Sequence, residues 1–143
     1  MTVSQGHAAR GEQVRAVLVV ALGGALGATA RYGVDVAAEH FGVALPWATL
    51  AVNVLGCALM GLLVAYVLAH PARHPLWRPF LGIGVLGGFT TFSAFAADAV
   101  LLAEEGRGLA SAAYVVATLI GGLLALWLGT TGGHALRRHR AVA

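Results

Sequence analysis

The sequence has few charged residues, no lysine and a single cysteine, and each scarcity excludes a class of protein. Only 10% of the 143 residues are charged and 59% are hydrophobic, whereas about a quarter of residues are charged in soluble domains. This composition indicates one membrane domain. Because Cys57 is the only cysteine, an intramolecular disulfide framework is excluded. The nine positive residues are all arginines in tails and short loops, with no basic run interleaved with aromatics, which argues against nucleic-acid binding.

Four long apolar segments dominate what remains. Each is about 20 residues long, enough to cross the roughly 30 Å hydrocarbon layer as a helix. We predict membrane helices at about residues 14–32, 46–69, 79–103 and 109–131. We divide the chain into a polar N-terminal tail (1–13), a four-helix transmembrane domain (14–132) and a basic C-terminal tail (133–143). No small-residue cleavage site follows a short apolar core, so we expect the first segment to be a retained anchor rather than a signal peptide.

The arginines are distributed unevenly between the two predicted sides of the membrane. With four spans, the two tails and the middle loop share one side. That side carries Arg10, Arg15, Arg73, Arg78, Arg137, Arg138 and Arg140. The other side has only Arg31 and Arg107. Because positive residues are retained on the cytoplasmic side, the bias predicts a multi-pass protein of the cell membrane with both termini in the cytoplasm.

Small residues recur at helix-face spacing, as Gly23 and Gly27 do in the first segment and Gly84 and Gly88 in the third. Such rows are typical of close helix packing in membranes. Four short helices leave little room for an enclosed cavity within one chain. We therefore expect the chain to be oligomeric.

Polar residues inside the segments are harder to explain by packing. Asn53 lies two turns inside the second segment, where an unpaired amide is costly, so it needs a hydrogen-bond partner or must face water. Both an interhelical hydrogen bond and a position on an ion pathway remain open for it. Tyr114 and Thr118 share one face of the fourth helix, a pattern more typical of packing. Asp98 and Glu104 close the third helix, where we expect both carboxylates to reach headgroup water.

The third segment contains the sequence GFTTFSAF, residues 88–95. A glycine pair followed by two threonines is a poor helix interior, so we predict a break near the middle of this helix. Freed carbonyls from Gly87 to Thr90 can hold a hard cation if a second copy supplies further oxygens, and sodium fits this ligand type. Phe92 and Phe95 (i, i+3) then present two rings on one face. Their ring edges carry partial positive charge and can line a path for a small anion, although such a pair is usually core.

These motifs resemble those of the CrcB/Fluc family of fluoride channels. The similarity covers nearly the whole chain after the N-terminal tail. It rests on GGALGATARY at the end of the first helix, NVLG in the second, GVLGGFTTFSAF in the third and the Tyr114/Thr118 spacing in the fourth. One departure is Ala94, where the family commonly has threonine, and it puts in doubt only the polar contacts at that point.

The resemblance implies an antiparallel, dual-topology homodimer with two fluoride pathways and a structural sodium ion at its centre. It implies that the Gly87 and Thr90 carbonyls bind sodium and that Phe92 and Phe95 form an aromatic box. It further implies that Asn53 donates its amide to fluoride, that Ser93 and Thr118 supply hydroxyls, and that Tyr114 lies near this track. It places Arg31 at an aqueous vestibule, where a positive charge can draw anions in. The expected function is passive, fluoride-selective export that lowers cytoplasmic fluoride.

Alternative functions lack the residues that they need. A drug/proton antiporter of the small multidrug-resistance type needs a carboxylate deep in the first span, and residues 14–30 contain none. No nucleotide-binding GxxxxGK[ST] motif is present, which argues against nucleotide-driven transport. A serine hydrolase would need a histidine base near Ser93, but the histidines lie in tails and loops, so we predict no enzyme. We also find no obvious membrane-embedded carboxylate for a proton relay. A non-transporting structural subunit is disfavoured only by the resemblance.

The arginine bias conflicts with an antiparallel homodimer, because subunits that insert in both orientations should have nearly balanced loop charges. We therefore hypothesise that this subunit either tolerates the bias or pairs with a second, oppositely inserted homologue.

Overall fold

The computed structural model describes residues 3–43, 45–69 and 75–142, and in this part the protein is helical apart from short turns and two extended residues. Its helices are α1 (Val3–His40), α2 (Leu45–Ala69), α3 (Gly87–Phe89), α4 (Phe92–Glu104) and α5 (Gly108–Val142). A π-helical segment, Pro79–Leu86, runs directly into α3.

Four helical stretches are long and apolar enough to cross a membrane. They are Arg10–His40, Pro46–Val67, Pro79–Glu104 and Gly108–Leu136. This confirms the prediction of an all-helical chain with four membrane-spanning helices. We refer to Pro79–Glu104 as the third span. The helices α1 and α5 extend beyond the predicted ranges, because polar residues can continue a helix into water.

Part of the arginine pattern falls outside the described residues. Arg73 lies there, and so do the side chains of Arg137, Arg138 and Arg140. The orientation of the chain stays a prediction from sequence.

Two glycines end the helices on the side of the membrane that has few arginines. Gly42 follows α1 with φ +67° and Gly106 follows α4 with φ +74°. In the first case Val43 N–H donates to the Ala38 carbonyl at 2.8 Å, and Gly42 N–H donates to the Glu39 carbonyl at 3.1 Å. This pair of bonds is the Schellman arrangement, and the same pattern occurs at Gly106. A side chain is strained at positive φ, so glycine is favoured at both turns.

The helix α1 packs against the first half of the third span with almost no side chains between the backbones. A Cβ atom on Gly27 would collide with the Val85 carbonyl, and one on Gly88 would collide with the Gly24 carbonyl. Gly23 and Gly84 approach each other in the same way. The predicted small-residue rows of these two segments are therefore helix-packing surfaces, as expected for membrane helices.

The helices α2 and α5 form the second close pair. Gly129 of α5 lies against the Ala58 carbonyl, and Gly61 of α2 lies against the Leu126 carbonyl. The face of α5 that contains Tyr114 and Thr118 continues through the buried Ala125. The large apolar side chains on the other faces are exposed, which suits contact with lipid or another chain. This framework brings α2, α4 and α5 together around the middle of the third span.

Candidate functional site

The third span is interrupted at two adjacent residues. Thr90 has φ −79° and ψ 157°, and Thr91 has φ −146° and ψ 126°, so both are extended. The helix α3 ends at Phe89 and α4 begins at Phe92. Backbone groups that leave a helix inside a membrane-spanning segment need other partners, because lipid offers none.

Side chains supply those partners. The Asn53 side chain from α2 bonds both backbone groups of Thr91: its Nδ2 donates to the Thr91 carbonyl at 3.0 Å, and Thr91 N–H donates to its Oδ1 at 2.9 Å. The Thr91 hydroxyl caps α4 by accepting from the Ala94 N–H at 3.2 Å, and it lies 3.1 Å from the Ser93 hydroxyl. Asn53 thus makes the interhelical hydrogen bonds that the sequence left as one of its two alternatives.

The side-chain hydrogen bonds redirect two backbone N–H groups. In an uninterrupted α-helix, the N–H groups of Thr91 and Ala94 would donate to the carbonyls four residues earlier, those of Gly87 and Thr90. Here Thr91 N–H donates to Asn53 and Ala94 N–H donates to the Thr91 hydroxyl. The carbonyls of Gly87 and Thr90, which the sequence associates with sodium, are therefore among those that lose their helical donors at the interruption, and in their case the donors bond side chains.

A cavity adjoins the interruption and contains four of the residues predicted to line a pathway: Asn53, Phe92, Phe95 and Thr118. Thr90, Thr91 and Cys57 also line it, and apolar side chains of α5 complete the wall. Residues from α2, α4 and α5 that are far apart in sequence thus share one surface. The wall combines amide and hydroxyl groups with aromatic rings.

The two predicted box residues form a chain of rings with Tyr114. The ring centroids of Phe92 and Phe95 are 5.8 Å apart, and those of Phe95 and Tyr114 are 5.6 Å apart, both pairs tilted. Phe92 is 79% exposed, which is unusual for a core phenylalanine. In the single chain its ring is open to whatever surrounds the third span, which is lipid or another chain.

The predicted hydrogen-bond donors are partly engaged within the chain. Thr118 lies on the cavity, but its hydroxyl donates to the Tyr114 carbonyl at 2.8 Å. It must rotate before it can donate to an anion. Ser93 is exposed beside Thr91 and does not line this cavity. Asn53 has one N–H occupied by Thr91 and retains a second one.

Asp98 was misassigned by the sequence analysis. The residue is buried rather than solvated, at 8% exposure, and its carboxylate accepts a hydrogen bond from the Tyr114 hydroxyl at 3.3 Å. The third span therefore contains a carboxylate that is buried against protein side chains. Its spacing from Phe95 (i, i+3) and Leu102 (i, i+4), both on the inward face, was the sequence signal for burial. Glu104 is exposed, as expected.

Tyr114 and Asp98 belong to a second pocket, which lies between the start of α2 and the turn that joins α4 to α5. Pro46, Trp47 and Arg107 are among the residues that line it. Tyr114 is 2% exposed. It thus contacts the cavity residues through the Phe95 ring and the second pocket through its hydroxyl.

Arg31 forms an ion pair on its own helix. Its Nη1 lies 3.0 Å from the Asp35 carboxylate, and both side chains are a little under one-third exposed. Arg31 follows Gly27 by one turn on the inward face of α1 but does not line the cavity next to the interruption. Any attraction that Arg31 exerts on anions is weakened by Asp35.

Ala94 contributes its backbone to the site. The cap on α4 uses the Ala94 N–H, which every residue except proline can provide. The cap therefore does not depend on the side chain at position 94.

The sequence is similar to a family model and to many curated proteins. The family model described as "CrcB-like protein, Camphor Resistance (CrcB)" matches residues 18–130. The chain is 52% identical over 110 residues to "Fluoride-specific ion channel FluC 2" of Thermobifida fusca, covering 75% of this chain and 79% of the relative. It is 49% identical over 119 residues to "Fluoride-specific ion channel FluC" of Paracoccus denitrificans, covering 83% of this chain and 94% of the relative.

A third relative extends the match. "Fluoride-specific ion channel FluC 1" of Streptomyces coelicolor is 41% identical over 128 residues, covering 90% of this chain and 83% of the relative. Together with the four membrane-spanning helices, these similarities identify a prokaryotic multi-pass membrane protein, and the chain belongs to the CrcB family.

Proposed function

We propose that this chain forms a passive, fluoride-selective channel that exports fluoride across the cell membrane and lowers its cytoplasmic concentration. One observation carries the proposal: Asn53, Phe92, Phe95 and Thr118 line one cavity in a chain whose relatives are named fluoride-specific ion channels. Those residues supply the two things that such a path needs, donors that replace water and contacts weak enough to let the ion leave.

Fluoride is the smallest halide and the strongest hydrogen-bond acceptor among them. The free N–H of Asn53 offers it a donor, and the Thr118 hydroxyl offers another after rotation. The edges of Phe92 and Phe95 add weak electrostatic attraction without a formal charge. Ser93 and Tyr114 extend this set beyond the cavity, and Arg31 draws anions towards a vestibule.

We further propose that the interruption of the third span functions as a cation site. The Gly87 and Thr90 carbonyls are hard oxygen ligands whose helical donors are bonded elsewhere. Two such carbonyls from one chain and two from a second copy suit a sodium ion. The bound ion would supply a positive charge that neutralises converging carbonyl dipoles.

The assembly that we propose is an antiparallel dimer. Gly87 and Phe92 are both exposed in the single chain, so residues of the proposed cation and anion sites lie on a surface that a second copy can cover. The partner is another copy of this chain that tolerates the seven-to-two arginine bias or an oppositely inserted homologue.

The function is tested by measuring ion efflux from liposomes that contain only the purified protein. Liposomes are loaded with potassium fluoride, and release is followed with a fluoride electrode after valinomycin is added. We expect rapid fluoride efflux that depends on valinomycin, and no chloride efflux from matched liposomes. An absence of fluoride efflux, or an equal rate for chloride, would contradict the proposal.

The same assay separates a passive channel from proton-coupled transport, which the buried Asp98 makes worth testing. A channel moves fluoride alone, so its efflux is electrogenic and stops unless an ionophore such as valinomycin dissipates the membrane potential. A transporter that moves one proton with each fluoride would run without an ionophore and would respond to an imposed pH gradient. The names of the relatives do not favour a drug/proton antiporter.

A further inference from the structure

The bonds between Asn53 and Thr91 indicate a second task for Asn53. An asparagine side chain carries the same carbonyl and N–H groups as a peptide unit, so it can bond both backbone groups of one residue. The two bonds here, 3.0 Å and 2.9 Å long, have ordinary hydrogen-bond lengths. A residue whose only task was to present its amide to an anion would not need them.

One of these two bonds competes with closure of the helix. In a continuous helix, Thr91 N–H would bond the Gly87 carbonyl, but here it donates to Asn53 Oδ1. The Thr91 carbonyl belongs to the N-cap of α4, where it can begin that helix and also accept from Asn53 Nδ2. Leaving a buried donor or acceptor unpaired costs about 1–3 kcal/mol. Without Asn53, Thr91 is therefore driven towards the helical pairing that would consume the Gly87 carbonyl.

The backbone of α2 is pressed against the interruption at a second point. Gly56 lies almost one turn after Asn53, and a Cβ atom there would collide with the Thr90 side-chain methyl. The helix α2 thus contacts both extended residues, Thr91 through the Asn53 amide and Thr90 through the bare surface of Gly56. This docking fixes the position of the Asn53 side chain relative to the third span.

We propose that Asn53 is a positioning residue that holds the third span open at Thr91 and thereby keeps the Gly87 carbonyl available to a cation. The part of this inference that concerns the cation rests on the proposed function. Asn53 then links the two ion sites: its Oδ1 accepts from the Thr91 N–H that would otherwise bond the Gly87 carbonyl, and the residue also lines the cavity proposed for the anion.

The test compares three variants: Asn53→Ala, Asn53→Asp and Thr118→Val. Thr118 lines the same cavity but bonds only its own helix, so Thr118→Val is the control that affects the pathway and leaves the interruption intact. The probe is the sodium ion. Thermal unfolding of the purified full-length protein in detergent is measured in sodium chloride and in N-methyl-D-glucamine chloride at equal ionic strength. Fluoride efflux is measured in parallel.

We expect sodium to raise the unfolding midpoint of the wild type, because a ligand that binds only the folded state stabilises it. Asn53→Ala should lose both this shift and fluoride efflux, whereas Thr118→Val should lose efflux and keep the shift. Asn53→Asp retains an oxygen that accepts from Thr91 N–H, so it should keep the sodium shift and lose efflux, since its negative charge repels the anion. If Asn53→Ala does not fold, Asn53→Asp decides: a loss of the sodium shift although the Thr91 N–H keeps an acceptor would contradict the inference.

Two further results would overturn the inference. One is an Asn53→Ala protein that keeps the full sodium shift, and the other is a wild type with fluoride efflux but no sodium shift. Failure of the proposed function has a different signature, which is a wild type that shows the sodium shift and no fluoride efflux.

Discussion

The two halves of the third span are held in the molecule by different means. The first half, residues 79–89, packs backbone against backbone, with Gly84 and Gly88 lying against α1. The second half, α4, is held by polar side chains. Tyr114 bonds Asp98, and the Ser111 hydroxyl donates to the Ala99 carbonyl at 2.6 Å.

The difference indicates that the first half of the third span supports the fold and the second half serves conduction. A glycine-to-glycine contact leaves no room for an ion, and it fixes the position of the first half with little side-chain entropy to lose. The second half presents hydroxyls and rings that can exchange partners. Asn53 joins the two halves at Thr91. Variants in the first half should therefore affect folding, and variants in the second half should affect flux.

The largest effect is expected at Gly27. Gly27→Ala places a methyl group against the Val85 carbonyl, and because the obstacle is backbone, the helices must separate. We expect a loss of about 3 kcal/mol or more of stability, at the upper end for overpacked sites. Unfolding in detergent measures this. Gly24→Ala is the matched control, since its added methyl meets nothing within 4 Å. Equal stability of the two variants would contradict backbone-to-backbone packing.

Phe92 tests the second half for conduction. Phe92→Ile should slow fluoride efflux at least about tenfold, equivalent to roughly 1.4 kcal/mol in the barrier. Its unfolding midpoint should be nearly unchanged, because Phe92 is 79% exposed. Phe41→Ile changes a phenylalanine of similar exposure, 78%, outside the cavity and should leave efflux unchanged. An unaltered efflux rate in Phe92→Ile would assign the ring to packing.

The stability of an Asp98 variant measures how much polar side-chain bonds stabilise the second half of the third span. Asp98→Ala leaves the buried Tyr114 hydroxyl without its carboxylate partner, which should cost about 1–3 kcal/mol of stability. Glu104→Ala, at an exposed position on the same helix, should change stability by less than about 0.5 kcal/mol. If the two alanine variants unfold alike, the bond between Tyr114 and Asp98 does not stabilise α4.

The smallest effect is expected at Asp35. Asp35→Asn removes the partner of Arg31 and should change stability by less than about 1 kcal/mol, as for exposed ion pairs. The freed positive charge should raise fluoride efflux modestly at low ionic strength, and salt should screen the gain. Glu39→Gln, one turn further along α1 and exposed, is the control. A salt-independent change would argue against electrostatic attraction by Arg31.

The sequence was sufficient for the features that depend on local composition. Apolar length predicted the four spans, and the spacing of Gly23 and Gly27 predicted a packing face. It was insufficient where the outcome depends on which helix faces meet. Asn53 and Thr91 are 38 residues apart, and Tyr114 and Asp98 are 16 apart. Neither pair follows from periodicity. Asp98 was misassigned because its position near a helix end suggested water, while the contact with α5 buries it.

Fluoride efflux from two matched threonine variants tests the central claim, that the cavity beside the interruption carries the ion. Thr118 and Thr130 are both on α5, and each hydroxyl donates to the carbonyl four residues earlier at 2.8 Å. Only Thr118 lines the cavity. The account predicts that Thr118→Val slows efflux at least about tenfold while Thr130→Val runs at the wild-type rate. Wild-type rates in both variants, or equal slowing in both, would contradict it.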